Sequence, residues 1–379
     1  MSRPFGVYVH FPYCTHRCPY CDFAVSTEAP PAGGRYGRAL LAELEMRAPE
    51  FADLAPASLY LGGGTPSLWD PPEVAQVIAA VRVRLGLPSG AEVTLETNPE
   101  SCDEERLRAW REAGVNRLSI GVQSFDPGVL RKLGRRHAPE AAEAAIRAAA
   151  RAIGSVSVDL IYGARRSTVE TARSDAERAA AAGAVHLSAY ALTLDPEVLA
   201  EEVPFARMVR EGRLSLPGPE ETIAQAAAIR AALRRAGLRR YEISNFARPG
   251  RESVHNLLYW EGESYLGLGA GAWGCRRGEE RSHRYGNLRA PGAWLAAVES
   301  GRLPTAEEEE IAVRAERNER LMLALRTSRG HRRDALGPGQ RRIEADLLRH
   351  RLAVARGGRL VLTSRGMDLH TAVAARLIE

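Results

Sequence analysis

The sequence predicts an α/β protein: a partial (β/α) barrel followed by a small C-terminal winged-helix-like α+β domain. Short aliphatic runs that end in polar residues alternate with Ala- and Arg-rich amphipathic stretches. The period is roughly 30–35 residues, the length of a βα unit. No G-x-G-x-x-G follows any of the runs between residues 5 and 192, which weighs against a doubly wound dinucleotide-binding sheet. Right-handed βα units in series give a parallel sheet that curls into a full or partial barrel.

The elements follow in order. Apolar runs predict strands at 5–9, 57–61, 91–95, 116–122, 155–161 and 185–192. A helix at 35–47 has Leu40, Leu41, Leu44 and Met46 as its apolar face. Another starts near Asp70, with Pro71 and Pro72 in the first turn, where no backbone N–H is needed. Further helices are expected at 103–113, at 139–152 and up to about 182, and the pattern from 196 to 237 is helical. Residues 239–246 read as extended. The acidic run Glu307–Glu310 suits a helix N-terminus, where the macrodipole favours negative charge. An amphipathic helix with Leu321, Met322 and Leu325 follows, then a helix at 340–350. A hairpin at 352–354 and 360–362 turns on Arg356-Gly357-Gly358. The expected domains are 1–285 and 286–379.

The net charge is +5, but Lys132 is the single lysine and the arginines are scattered along Ala-rich helices. That pattern disfavours nucleic-acid binding. No apolar run approaches the roughly 18 residues that suggest a membrane span. The chain enters its first strand without a signal peptide, so a cytoplasmic location is expected. There, clustered thiols stay reduced and read as metal ligands.

Three of the 5 cysteines, Cys14, Cys18 and Cys21, fall in one C-x3-C-x2-C loop. Crowded thiolates make a soft-metal site and can wrap one face of an iron–sulfur cube. Three ligands leave one metal position open, whereas a closed structural site wants four. A zinc knuckle completed by His10, His16 or Cys102 is the alternative. Gly62-Gly63-Gly64-Thr65-Pro66 follows the second strand, where glycines allow a ligand close to the backbone. Alone, it also reads as a tight βα turn. Glu96, Gln123 and Asp159 fall at successive strand ends, where barrels place their chemistry, and Arg135 could offer a cation.

In order, HFPYC-x3-C-x2-C, LGGGTPS, LETNPE, IGVQSF, DLIYG, YEISNFA, HNLLYW and YLGLGAGA cover about 7–287. This set resembles the radical S-adenosylmethionine (SAM) family, in the branch that holds oxygen-independent coproporphyrinogen III oxidase and the HemW-type haem chaperones. The resemblance implies a radical SAM-type barrel with a 4Fe–4S cluster on Cys14, Cys18 and Cys21, and SAM on the fourth iron. It places Tyr8, Tyr20, Gly64, Thr65, Glu96, Gln123, Arg135 and Asp159 at the SAM site. The oxidase carries a fourth Cys two residues after the third and a long arm before its motif. Here that position is Phe23, and 13 residues precede Cys14. The chaperones carry HNxxYW, matched by His255-Asn256-Leu257-Leu258-Tyr259-Trp260. All three features favour the chaperone. His255 alone would read as a capping or core histidine; the resemblance makes it an axial ligand to haem.

The implied partners are haem as cargo, an acceptor haemoprotein, an electron donor if SAM is cleaved, and a second copy in a homodimer. The rival readings are the oxidase itself and a nucleic-acid-binding winged helix on a structural barrel. The chain departs from the family at Ala164-Arg165-Arg166-Ser167-Thr168, at Asp195-Pro196-Glu197-Val198 and at Trp273. Cys275 reads as an ordinary small residue.

Overall fold

The computed structural model describes residues 2–194 and 203–378. Six parallel strands lie side by side in chain order: β1 (Pro4–Phe11), β2 (Ala55–Gly63), β3 (Glu92–Thr97), β4 (Arg117–Gln123), β5 (Val156–Tyr162) and β6 (His186–Ala191). The helices after them are α1 (Arg35–Arg47), α2 (Pro71–Leu85), α3 (Glu104–Ala113), α4 (Pro127–Lys132), α5 (Pro139–Ala152) and α6 (Val169–Ala181). The βα series expected from the sequence is present.

One alternation organises these strands. Leu59, Leu61, Val93, Leu95, Leu118, Ile120, Val156, Val158 and Leu187 are fully or almost fully buried in the main core. Their neighbours Ser58, Tyr60, Thr94, Glu96, Ser119, Ser157, Asp159 and Ser188 occupy the opposite face, because successive side chains of a strand point to opposite sides. Parallel sheets usually read as continuous aliphatic runs. Here the face opposite the helices is polar instead, and one cavity is lined from β2, β3, β4, β5 and β6 together. The sheet therefore curls around a polar interior.

Beyond β6 come α7 (Pro204–Arg210), α8 (Pro219–Arg235), β7 (Arg239–Arg240) and β8 (Asn245–Ala247), the last antiparallel to β6. Part of the stretch expected to be helical, 195–202, lies outside the described residues. Helix α9 (Val254–Trp260) leads into β9 (Ser264–Leu268), which pairs in parallel with β1. Then β10 (Trp273–Arg276), β11 (Arg281–Asn287), α10 (Pro291–Glu299) and β12 (Thr305–Ala312) follow, the three strands pairing antiparallel. The twelve-stranded sheet is open, running from β12 at one edge to β7 at the other.

The acidic run Glu307–Glu310 does not begin a helix; it lies in β12. Its acids face arginines across the ladder: Arg284 reaches Glu309 at 2.9 Å and Arg281 reaches Glu310 at 2.8 Å. Opposite charges on paired strands stabilise the pairing, and charge on an edge strand discourages further pairing. Position 285/286 thus falls within β11, and the large sheet continues to Ala312.

The C-terminal unit holds α11 (Val313–Leu325), β13 (His331–Arg332), α12 (Pro338–Arg349), β14 (Ala353–Arg356), β15 (Arg359–Leu362), α13 (Ser364–Asp368) and α14 (His370–Leu377). Its sheet is ordered β13-β15-β14 over a separate core that includes Leu321, Leu325, Leu347, Leu360 and Met367. The unit is tied to the barrel at YEISNF: Ser328 N–H donates to the Tyr241 carbonyl at 2.8 Å, and Arg326 donates to Glu242 at 3.1 Å.

A buried ion pair fastens the strands on the other side of β1. Glu43 of α1 is 0% exposed and accepts from Arg47, Asn287, Gly269 N–H and the Trp294 indole. Arg47 also donates to Asn287 and Thr305 and lies 3.6 Å from the Tyr285 ring centroid. One carboxylate thus joins α1, the turn after β9, β11 and α10.

Candidate cluster and cofactor site

The cysteine loop leaves the C-terminal end of β1 and is knitted to its surroundings by backbone bonds. Gly64 N–H donates to the Phe11 carbonyl at 2.7 Å, Thr65 N–H to Tyr13 at 2.9 Å, and Cys14 N–H to Ser26 at 2.9 Å. Gly63 has φ +115°, and a Cβ there would sit 2.7 Å from the His10 ring. A Cβ on Gly64 would meet the Pro12 and Tyr13 backbone at 2.8 Å. The glycine run is therefore required for β2 to pass this close to the loop.

His10 closes the loop from beneath. Its Nε2 donates to the Ala24 carbonyl at 2.9 Å, so Nδ1 accepts from the Tyr8 hydroxyl at 2.9 Å. Burial lowers its pKa to about 4, which keeps the ring neutral. His10 is thus committed elsewhere, and Cys102 is buried against the Asn98 carbonyl, outside the cavity. Neither completes a zinc knuckle in this arrangement. His16 does line the cavity, with its Nε2 3.2 Å from the Gly134 carbonyl.

Cys14, Cys18 and Cys21 line one cavity of about 450 Å³. Tyr20, Gly64, Thr65, Glu96, Gln123, Arg135 and Asp159 line the same cavity; Tyr8 does not. Among the described residues, no three His, Cys, Asp or Glu side chains converge on a single-ion site. The thiols instead share one wall. Thr65 Oγ1 donates to Cys14 Sγ at 3.3 Å, and Arg135 Nη1 lies 3.9 Å from Cys18 Sγ. Burial raises the Cys14 and Cys21 thiols, the latter to about 11, while the Thr65 bond opposes the shift at Cys14. A positive centre would offset that burial and hold them as thiolates.

The polar face supplies the rest. Glu96 accepts from the Tyr60 hydroxyl at 2.8 Å and from Gly63 N–H at 3.1 Å, yet burial lifts its pKa to about 7. Asp159 accepts from Ser119 and Ser188, and burial raises it too. Arg135 is held by Asn98 Oδ1 and the Gly121 carbonyl, both at 2.6 Å. Gln123 ends β4 with φ +70°, beside a break in register between β4 and β5. A non-glycine residue in that region is strained, and such strain concentrates at functional sites. Tyr60, Asn98, Ser119 and Ser188, which hold these groups, are the residues sequence reasoning missed. For Tyr60, Ser119 and Ser188 the signal was the polar half of the strand alternation; Asn98 lies in the turn just after β3.

The Glu96 shift has a measurable consequence for the cluster-free protein. A carboxyl whose folded pKa is about 7, against an ordinary 4.5, favours the protonated form in the fold. The unfolded chain then releases its proton first as pH rises, and stability falls across that window, staying low above it. Glu96→Gln is expected to remove a loss of about 1–3 kcal/mol between pH 4.5 and 8. Urea midpoints of both proteins across that range check it; a difference that does not change with pH contradicts it.

The HNLLYW segment forms α9, which closes the barrel floor. Ser253 and Asn256 line the far end of the cavity. His255 is 2% exposed, with Nδ1 2.8 Å from Ser58 Oγ and Nε2 3.1 Å from the Tyr259 hydroxyl. Its ring lies 5.1 Å from that of Tyr60, and burial lowers its pKa to about 3. Both nitrogens are engaged, so the free axial nitrogen expected of His255 is not presented in this conformation. Of the departures, Thr168 caps α6, Ser167 donates to Gln225, and Trp273 is exposed on β10; Asp195–Val198 lies outside the described residues.

A three-thiol loop at the C-terminal end of β1, facing a curled sheet with a polar interior, defines the radical SAM class. Residues 8–179 match the Radical SAM superfamily model. The chain is 37% identical to the heme chaperone HemW of Mycobacterium tuberculosis H37Rv, over 100% of this chain and 95% of that protein. It is 31% identical to HemW of Lactococcus lactis over 87% and 83% of the two chains, and 36% identical to that of Escherichia coli K12 over 72% and 70%. The chain belongs to the HemW family of radical SAM proteins. Its fold is also that of the E. coli coproporphyrinogen III oxidase HemN: TM-score 0.80 and 21% identity, covering 100% of this chain and 90% of that one.

Proposed function

We propose that this protein is a haem chaperone that holds a 4Fe–4S cluster and SAM, binds haem, and passes it to acceptor haemoproteins. The observation that carries this reading is near-full-length similarity to HemW proteins in a chain with Phe23 at the oxidase's fourth-Cys position. Cys14, Cys18 and Cys21 would hold the cluster, since all three thiols open on one cavity and each has a hydrogen-bond donor at hand. Bound there, the cluster supplies an electron for reductive cleavage of a sulfonium.

The chain's own residues would do the rest. The backbone at Gly64 and Thr65 allows the methionyl end of SAM close approach. Arg135, fixed by Asn98, provides a cation for the SAM carboxylate beside Cys18. Glu96 and Gln123 present oxygens to the amine and ribose, Asp159 a carboxylate deeper in the cavity, and Tyr20 an aromatic face for the adenine. Tyr8 acts from behind the wall, by fixing the His10 tautomer beneath the loop. An electron donor is needed only if SAM is cleaved.

The rival reading is oxidative decarboxylation of coproporphyrinogen III. HemN shares the fold, but at 21% identity that likeness speaks to fold alone. Hemin hand-over to an apo-haemoprotein, set against coproporphyrinogen turnover on the same sample, separates the two readings.

A further inference from the structure

The HNLLYW helix ends at Trp260, and there it borders a second cavity, of about 730 Å³, between the barrel floor and the C-terminal unit. One wall comes from α9 and α11, the other from the small sheet. Trp260 lines it with an indole N–H that is buried and has no hydrogen-bond partner among the described residues. The Arg326 guanidinium stacks on the Trp260 ring at 4.2 Å and fixes it. His331 also lines the cavity and is half-buried. No other imidazole lines it among the described residues.

The small sheet presents an unusual row. Arg332 lies opposite Arg359, and Arg359 lies opposite Arg356. Three like charges in direct cross-strand register cost stability unless something negative lies over them. Among the described residues, only Arg332 of the three has a carboxylate partner, Asp334 at 2.5 Å; Arg359 is bonded to the carbonyls of Arg329 and Gly330. All three line the cavity, and Arg329 joins them at its rim, paired with Glu261.

We propose that this groove is the haem seat. The carboxylates of a planar dianionic macrocycle would lie on the Arg332–Arg359–Arg356 row. Trp260 would border the ring, and His331 would supply the axial nitrogen that His255 cannot present. This rests on the haem-chaperone reading and relocates its cargo. It makes the HNLLYW helix a two-ended element. Asn256 closes the SAM cavity at one end, and Trp260 opens on the haem groove at the other. His255 then acts as a positioning residue. Guanidinium pairs carboxylates in bidentate geometry, which suits propionates better than a point charge would.

The test is a Soret titration of hemin into the full-length, cluster-loaded protein. The Arg332→Ser/Arg356→Ser double variant changes two exposed side chains and is expected to raise the hemin Kd at least tenfold, with iron and sulfide content unchanged. His331→Ala is expected to lose the signature of an axial histidine. Protoporphyrin dimethyl ester, which lacks free carboxylates, should bind wild type and double variant alike. Wild-type hemin affinity in both the double variant and His331→Ala overturns the site while leaving the chaperone reading intact. Hemin binding lost in His255→Gln but kept in the double variant also overturns it. Tight duplex-DNA binding that vanishes in the double variant would make the arginine row a nucleic-acid contact and overturn the haem seat. A wild-type protein that binds no hemin fails the chaperone reading itself.

Discussion

Replacing Cys14, Cys18 and Cys21 together by Ala is expected to abolish cluster assembly, with iron and sulfide falling to background. The brown absorbance at about 400 nm, typical of such clusters, goes with them. The reason lies in what the three thiols touch. They are only half-buried and outside the main core; the bonds to them are Thr65 at Cys14, Arg135 and Tyr20 at Cys18, and the Phe23 N–H at Cys21. The loop keeps its shape through backbone bonds to Ser26, Pro12 and Tyr13. The cluster-free variant should therefore unfold within a few tenths of a kcal/mol of cluster-free wild type, as expected away from core packing and buried polar networks. Stoichiometric iron and sulfide in the variant would contradict the site. A large loss of stability would show that the thiols are structural.

Glu43→Ala is expected to destabilise the barrel by about 3–5 kcal/mol. The reason is what it leaves behind rather than what it removes. Arg47 is 2% exposed and would keep its charge in the core, with the neutral oxygens of Asn287 and Thr305 and the face of the Tyr285 ring but no counter-charge. Gly269 N–H and the Trp294 indole would lose their acceptor. The damage should also reach the cysteine loop. Tyr36, two turns before Glu43 on α1, donates to the His10 carbonyl at 2.6 Å and accepts from Ala270 N–H at 3.2 Å. A shift of the Gly269–Ala270 turn therefore moves the base of the loop. Urea unfolding measures the first effect, and cluster yield on reconstitution the second. A loss below about 1 kcal/mol, the scale of one ordinary hydrogen bond, would mean that the pair is not isolated from water.

The βα series was legible because each strand is an apolar run bounded by polar or glycine residues. Glu96, Gln123 and Asp159 were legible because they fall at strand ends. Apart from Asn98, the residues that hold them lie on the same polar face, two positions away or on the next strand. Extending the period of two along 58–60, 117–119 and 186–188 would have found them. Other features depend on partners that no local pattern names. Ser58 and His255 bond across 197 residues, and Glu43 meets Trp294 across 251. The acidic run at 307–310 reads as a helix start until β11 places Arg284 opposite Glu309 and brings Arg281 diagonally to Glu310. Gln123's positive φ comes from the register break beside β5 rather than from its own preference.

The most direct test of the central claim follows hemin leaving the anaerobically reconstituted protein. Hemin-loaded protein is mixed either with an apo-haemoprotein or with a passive hemin scavenger, and the same preparation is supplied with coproporphyrinogen III, SAM and reductant. A chaperone releases hemin faster to the apo-haemoprotein than to the scavenger and leaves coproporphyrinogen unconverted. Equal release rates, or coproporphyrinogen turnover by the same sample, would contradict it.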